Sequence, residues 1–201
     1  MLEHHRHLKQ AGWIAMAGVL LLLSGCGINN IPTQKQQVDA AWSQVLNEYQ
    51  RRTDLIPNLV ATVKGYAAHE ASVLEAVTEA RAKVTQTQIP SDILTNPQAF
   101  QSFERNQATL GGALSRLMVV TENYPNLKAD QNFLTLQAQL EGTENRIAVA
   151  RRDYILAVQQ YDTELTTIPG RWYRSLFYSG NQPIQNFTIS EQAQQAPQVK
   201  F

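Results

Sequence analysis

Cys26 is the one cysteine among the 201 residues of the chain. A single thiol can form no intrachain disulfide and supplies too few ligands for a thiolate-rich zinc site. The chemistry that remains for it is that of a nucleophile or an attachment point. The residues around Cys26 therefore decide its role.

The residues before Cys26 have the layout of a secretory signal. Arg6 and Lys9 precede an uncharged apolar run of eleven residues, 13–23, whereas a membrane-spanning helix needs about 20. The four residues that close this region are Leu23, Ser24, Gly25 and Cys26. This tetrad resembles a bacterial lipobox, in which the cysteine thiol accepts a diacylglyceryl group and the signal is cut before it. We predict that residues 1–25 are removed and that Cys26 is lipidated with palmitate-like chains.

The predicted location follows from this anchor. The acyl chains would hold the protein to the bilayer at the extracytoplasmic face of a membrane. In a diderm cell, the glycine after the cysteine, Gly27, is typical of sorting to the outer membrane and periplasm. Retention of residues 1–25 as an uncleaved helix in the inner membrane is the alternative.

Charge excludes a nucleic-acid partner. The chain has 17 basic and 17 acidic residues, and loss of Glu3, Arg6 and Lys9 with the signal leaves 15 basic and 16 acidic ones. A balance this close to neutral provides no basic field for a phosphate backbone.

His69 and Glu70 suggest a zinc site, but the second histidine of that motif belongs at position 73, which is Val73. His69 is also the last histidine left after removal of the signal, so Ser-His-Asp catalysis is disfavoured. Glu141 and Glu144 lie one turn apart, as in an ordinary solvated helix face. We predict no enzyme activity, no metal and no cofactor.

Helical periodicity dominates the rest of the chain. Apolar residues recur at spacings of four and three from Val38 to Val84, through Pro57, which predicts one long helix kinked at Pro57. Second and third helices are predicted between residues 96 and 125 and between 130 and 168, followed by a short aromatic helix. The expected fold is all-α, an antiparallel long-helix bundle. The predicted organisation is signal 1–25, lipidated tether 26–33, bundle 34–178 and an extended Gln-rich tail 179–201.

Arg52 and Glu70 interrupt the apolar seam, and unpaired they would cost several kcal/mol to bury. One interpretation is a structural network that fixes helix register; the alternative is a small-ligand or catalytic pocket around Arg52, Asp54 and Glu70. The full candidate set is Arg52, Asp54, Pro57, Asn58, His69, Glu70, Glu144, Arg146 and Arg151.

The segment 171–178 holds two aromatic pairs beside two arginines. Trp172, Tyr173 and Phe177 would either lie on a lipid surface or cap the end of the bundle.

The chain resembles the LemA family over nearly all of its length after Cys26. The matching motifs are VDAAW at 38–42, RRTDLIPNLV at 51–60, VKGYAAHE at 63–70, YPNLKA at 124–129, ENRIA at 144–148 and PQVKF at 197–201. The resemblance implies a long-helix bundle on the extracytoplasmic side, an N-terminal membrane segment and no established enzyme activity. Relatives usually begin with a longer apolar helix, so the lipobox is a departure.

Together these features predict a non-enzymatic envelope lipoprotein that acts as a helical scaffold or adaptor for envelope proteins or for membrane organisation. Its expected partners are the lipid bilayer and unidentified envelope proteins, with self-association as a further possibility. The competing hypothesis is the small-ligand receptor or enzyme described above.

Overall fold

The structure, a computed structural model, describes residues 27–187, and these form an all-helical bundle without strands. Cys26, the lipobox and the PQVKF motif lie outside the described residues. The helices are α1 Asn30–Tyr66, α2 Ala71–Gln86, α3 Pro97–Thr121, α4 Pro125–Lys128, α5 Gln131–Thr166 and α6 Gly170–Phe177.

The all-α prediction is confirmed, but the single long helix over residues 38–84 is wrong. The helix ends at Tyr66, and α2 then folds back along α1, starting at Ala71. The spacing of four and three continues through this turn because both helices direct their apolar faces at the same core, as the buried positions Val63 and Val77 show. Unbroken heptad phase therefore does not distinguish one helix from a hairpin of two.

Pro57 lies inside α1 and does not end it. Proline has no N–H, so the carbonyl of Thr53, four residues earlier, loses its helical donor. The Arg81 side chain of α2 replaces that donor, since its Nε lies 3.2 Å from the Thr53 oxygen. The contact between α1 and α2 thus satisfies the group that Pro57 leaves open.

The four main helices alternate in direction. The long helices α1 and α5 pack antiparallel: Asn30 lies beside Glu164 at one end and Tyr66 bonds Asp130 at the other. The shorter pair, α2 and α3, is also antiparallel, with Tyr124 bonded to Glu70. Side-chain caps define two helix starts, because Asn96 accepts from the N–H of Ala99 and Asp130 from that of Phe133.

The bundle has two apolar clusters arranged along its length. The first is rich in aromatic rings, and Trp42 contacts Phe100, Phe103 and Tyr154 with ring centroids 5.2–5.7 Å apart. The second is mainly aliphatic and begins on α1 at Ile56. Arg52 and Thr53 are buried between the two clusters, so a polar layer crosses the core.

The bundle extends further at both ends than predicted. Helix α1 begins at Asn30 with Ile31 fully buried, so residues 30–33 belong to the bundle and not to the tether. Residues 181–187 are extended but packed, because Ile184 and Phe187 enter the aromatic cluster. The N–H of Ile184 donates a hydrogen bond to the Asp162 carboxylate, and the Tyr154 hydroxyl donates one to the backbone oxygen of Gln185 at 2.6 Å. Residues 181–187 therefore belong to the bundle and not to the predicted tail.

Candidate functional site: a polar layer beside an open cleft

Arg52 forms the centre of the polar layer and joins three helices. Its side chain is 5% exposed. From α1, Nη2 donates to the Gln107 side-chain oxygen of α3 at 2.6 Å and to the Gln107 backbone oxygen at 3.2 Å. Nη1 lies 3.1 Å from Glu144 Oε1 of α5. Both terminal nitrogens thus find acceptors on the two other helices, which favours one register of the three helices, while the buried Nε of Arg52 has no hydrogen-bond partner among the described residues.

The remaining surroundings of Arg52 are an aromatic ring and a glycine. The guanidinium carbon lies 5.0 Å from the centre of the Tyr49 ring, a cation–π distance. A Cβ on Gly111 would lie 3.9 Å from Nη1, so α3 approaches closely here. Burial raises the pKa of the Tyr49 phenol, although the charges of Arg151 and Arg52 oppose the rise. The folded state therefore favours the neutral form of the Tyr49 phenol.

Two further ion pairs flank this layer. Glu48, on the preceding turn of α1, is buried and receives Arg146 Nε at 3.0 Å. Arg146 also donates to the Thr143 hydroxyl at 2.8 Å. On the other side Arg151 approaches Glu104 at 3.9 Å. Carboxylates and guanidinium groups therefore alternate across the helix contacts and largely neutralise one another.

A solvent-open cleft of about 710 Å³ lies between α3 and α5, and Arg52 and Glu144 contribute to its wall. A second cavity of about 560 Å³ continues along the same seam and shares Gly111 and Glu144 with the first. Arg105 lines the larger cleft and has no ion-pair partner within residues 27–187. The cleft is large enough for a small anionic ligand. The described residues that line it include no serine, threonine, cysteine or lysine that could act as a nucleophile beside a base.

Several predicted site residues do not reach this layer. Asp54 and Asn58 are exposed, and Asp54 accepts a hydrogen bond from the Gln50 side-chain amide at 2.7 Å. Glu70 is at the far end of the bundle, where it receives the Tyr124 hydroxyl at 3.0 Å. The predicted convergence of Arg52, Asp54 and Glu70 on one pocket is therefore wrong. On a helix, a residue two positions away, such as Asp54, faces away from Arg52. Glu70 lies beyond the end of α1 at Tyr66, far from Arg52 along the bundle.

His69 and Pro57 are exposed, and His69 lies in the turn between α1 and α2. Within the described part of the chain, no cluster of three metal-ligating side chains occurs.

The sequence contained a signal for residues that the prediction missed. The apolar stripe of α3 consists of Phe100, Phe103, Leu110 and Leu114, and position 107, which belongs to the same stripe by its spacing, is not apolar. Gln107 fills it, and its buried amide accepts from Arg52. A polar residue at a seam position of each of two helices indicates a pairing between them. Glu48 gave no comparable signal, because it lies one position away from the seam.

The aromatic helix α6 closes the end of the bundle where the described chain begins. Tyr173 is half-buried, and a Cβ on Gly27 would lie 3.1 Å from its ring. Trp172 and Phe177 are 58% and 61% exposed. The residue that directly follows Cys26 therefore lies against α6.

Comparison with known proteins agrees with this architecture. The sequence model of the LemA family matches residues 41–201. The chain belongs to the LemA family. Family membership suggests a membrane-associated helical protein, and no helix within residues 27–187 is long and apolar enough to cross a membrane.

Two curated relatives match this LemA-family chain equally well. They are Magnetosome protein MamQ 1 and Magnetosome protein MamQ 2 of Paramagnetospirillum magneticum (strain ATCC 700264 / AMB-1), each 26% identical over 175 residues. The match covers 79% of this chain and 64% of each relative. The chain therefore spans less than two thirds of the length of these relatives.

Proposed function

We propose that this LemA-family protein is a lipid-anchored envelope protein that acts as a non-enzymatic helical scaffold or adaptor. The proposal rests on the position of Gly27, which lies at one end of the bundle against Tyr173. From that end α1 runs for 37 residues, or about 55 Å. A lipid at Cys26 would hold one end at the membrane and present the long helices to other envelope proteins.

The buried charges support a structural role. Arg52, Glu48 and Arg146 each pair across a contact between helices. Groups that satisfy one another in this way position helices, whereas catalytic groups are directed at a place for a reacting atom. The paired charges thus favour a scaffold over an enzyme.

The anchor is tested by Cys26→Ala, with Cys26→Ser as a second variant that keeps the size and polarity of the side chain. In cells fed a labelled fatty acid, wild type is expected in the membrane fraction with label. Both variants are expected to remain unprocessed and unlabelled, because neither offers a thiol. Equal labelling of wild type and variants would overturn the proposed anchor.

The scaffold is tested by site-specific photo-crosslinking in intact cells. Val149 is 47% exposed on α5 and lies between the ends of the long helix, so a crosslinking residue there reports what lies beside the bundle. Discrete protein conjugates are expected at position 149, and not at the buried control position Val45. A chain that crosslinks to nothing from any exposed position on α1 or α5 contradicts the scaffold role.

The cleft between α3 and α5 favours a second candidate, a receptor for a small organic anion. This alternative rests on Arg105, which lines that cleft and has no ion-pair partner in the part of the chain that the structure describes. Citrate serves as the probe in thermal unfolding. A citrate-dependent rise in Tm that Arg105→Gln abolishes, and that exposed Arg116→Gln leaves intact, would support the receptor. An equal response of all three proteins would reject it.

A further inference from the structure

Helix α6 has two apolar faces, of which the bundle covers one. Tyr173 packs against the aromatic cluster. On the other side Trp172 and Leu176, one turn apart within α6, are 58% and 73% exposed, and Ile168, in the turn that precedes α6, is 64% exposed. Phe177, next to Leu176, is 61% exposed. These four exposed apolar side chains, on α6 and in the turn before it, are called the outer patch.

The outer patch is held rigidly at its place. A Cβ on Gly170 would lie 2.1 Å from the backbone oxygen of Glu164, so α6 starts in direct contact with the end of α5. At the other end of α6, Arg174 Nε donates to the Asn181 oxygen at 3.0 Å. The bundle therefore fixes which side of α6 faces outward.

The position of the outer patch indicates what covers it. Gly27 contacts Tyr173 on the same short helix, and Cys26 is joined to Gly27 by one peptide bond. One extended residue spans only about 3.5 Å. A lipid chain on Cys26 would therefore enter the bilayer close to α6.

The chemistry of α6 also matches a membrane interface. Tryptophan and phenylalanine are the side chains that settle at the boundary between headgroups and acyl chains. Arg171 is exposed beside Trp172 and has no ion-pair partner among residues 27–187, so it is available to lipid phosphates.

We infer that α6 lies on the bilayer surface, with Ile168, Trp172, Leu176 and Phe177 inserted at the interface as a second membrane contact beside the lipid anchor. This inference rests on the proposed anchor at Cys26 for the nearness of the membrane. Two contacts at one end would restrict the tilt of the bundle, whereas a single lipidated tether leaves it free. The structure thus assigns the bilayer, and not a protein, as the occupant of the outer patch.

The test uses the native fluorescence of Trp172 in the full chain, isolated from membranes and placed in vesicles. The vesicles contain equal amounts of phosphatidylcholine and phosphatidylglycerol, with or without bromine on the acyl chains. Subtracting the spectrum of Trp172→Phe isolates the emission of Trp172. The expected result is a blue-shifted emission that brominated lipid quenches and aqueous iodide does not. Emission that iodide quenches, with no effect of bromine, would overturn the inference.

A matched pair of variants excludes a general effect on folding. Leu176→Glu and Val119→Glu each place a charge at a highly exposed position, 73% and 69% exposed, but Val119 lies near the opposite end of the bundle. Leu176→Glu is expected to reduce the bromine quenching of Trp172 at least about fivefold, and Val119→Glu to leave it unchanged. Equal quenching in both variants would contradict an inserted α6.

Flotation of the same vesicles separates failure of the anchor from failure of α6. If Cys26 is not lipidated, floated wild type carries no more fatty-acid label than floated Cys26→Ala, and this outcome counts against the anchor. If the protein floats but Trp172 stays open to iodide, the anchor stands and the inference is lost. A Trp172 that is open on vesicles but protected in native envelopes would indicate a protein occupant and would also overturn it.

Discussion

Arg52 lies where α1, α3 and α5 meet, and its bonds connect residues that are 55 and 92 positions apart. A buried guanidinium tolerates only arrangements that provide its acceptors, because an unpaired charge costs several kcal/mol. The polar layer therefore selects one alignment of the three helices among the several that an apolar seam alone permits.

Glu144→Gln tests this pairing. Glu144 is 45% exposed, so solvent screens part of the attraction, and we expect the free energy of unfolding to fall by about 1 kcal/mol. The control is Glu141→Gln, one turn earlier on an exposed part of α5, for which we expect less than about 0.5 kcal/mol. Denaturant titration measures both, and equal losses would show that the Arg52 pair contributes nothing.

Asp130 caps the start of α5 and makes the stability of the fold depend on pH. The N–H of Phe133 and the Tyr66 hydroxyl donate to its carboxylate and lower its pKa. A lowered pKa means that the folded state favours the charged form. The resulting stability is present above the ordinary carboxyl pKa of about 4 and is lost as pH falls through the lowered pKa.

Asp130→Asn tests this dependence, because asparagine also caps helices but does not ionise. At neutral pH wild type is expected to have the higher Tm, and the difference is expected to shrink toward zero as the pH is lowered below about 4. Asp153→Asn, exposed within α5, serves as the control. A difference between wild type and Asp130→Asn that stays constant with pH would contradict the assigned role.

At the scale of helices, the sequence predicted the class of fold and the starts of α3 and α5, because those starts depend on local caps at Asn96 and Asp130. It did not predict the turn after Tyr66. The local sequence there offers little more than Gly65 to indicate a turn. Pro57 would be the more obvious place for the helix to end, but Arg81, which is distant in sequence, donates to the Thr53 carbonyl that Pro57 leaves without a partner. Where a distant side chain satisfies the backbone, local patterns mislead.

The candidate site was predictable to a similar degree. Arg52 was identified as a polar residue in an apolar stripe, and Gln107 was detectable in the same way. The places of Asp54 and Glu70 were not, since they depend on where α1 ends and how α2 folds back. The packing of Ile184 and Phe187 also escaped prediction, because two apolar residues in a polar segment form no periodic pattern.

Gly170 sets the position of α6. An alanine there would place its Cβ 2.1 Å from the Glu164 backbone, which cannot move without shifting α5. Gly170→Ala is therefore expected to displace α6 and to lower Tm by several degrees. In contrast, Gly112→Ala on α3 meets open space and is expected to stabilise by about 0.5–1 kcal/mol. Thermal unfolding measures both, and a Gly170→Ala protein as stable as wild type would contradict the close contact.

At the scale of the whole molecule, the features that point to a membrane lie at one end. Gly27, the outer patch of α6 and the exposed Arg171 lie there, while the turn at His69 lies at the other end of α1. The polar layer and the two apolar clusters hold the intervening long helices parallel to one axis. This arrangement is suited to holding a binding surface at a fixed distance from a bilayer.

We propose above all that a lipid on Cys26 anchors this bundle. The most direct measurement is the intact mass of the protein purified from the membrane fraction, together with fragmentation of its N-terminal peptide. We expect a chain that begins at Cys26 and carries a diacylglyceryl group on that residue. A mass equal to the full 201 residues, or a chain cut elsewhere without lipid, would contradict it.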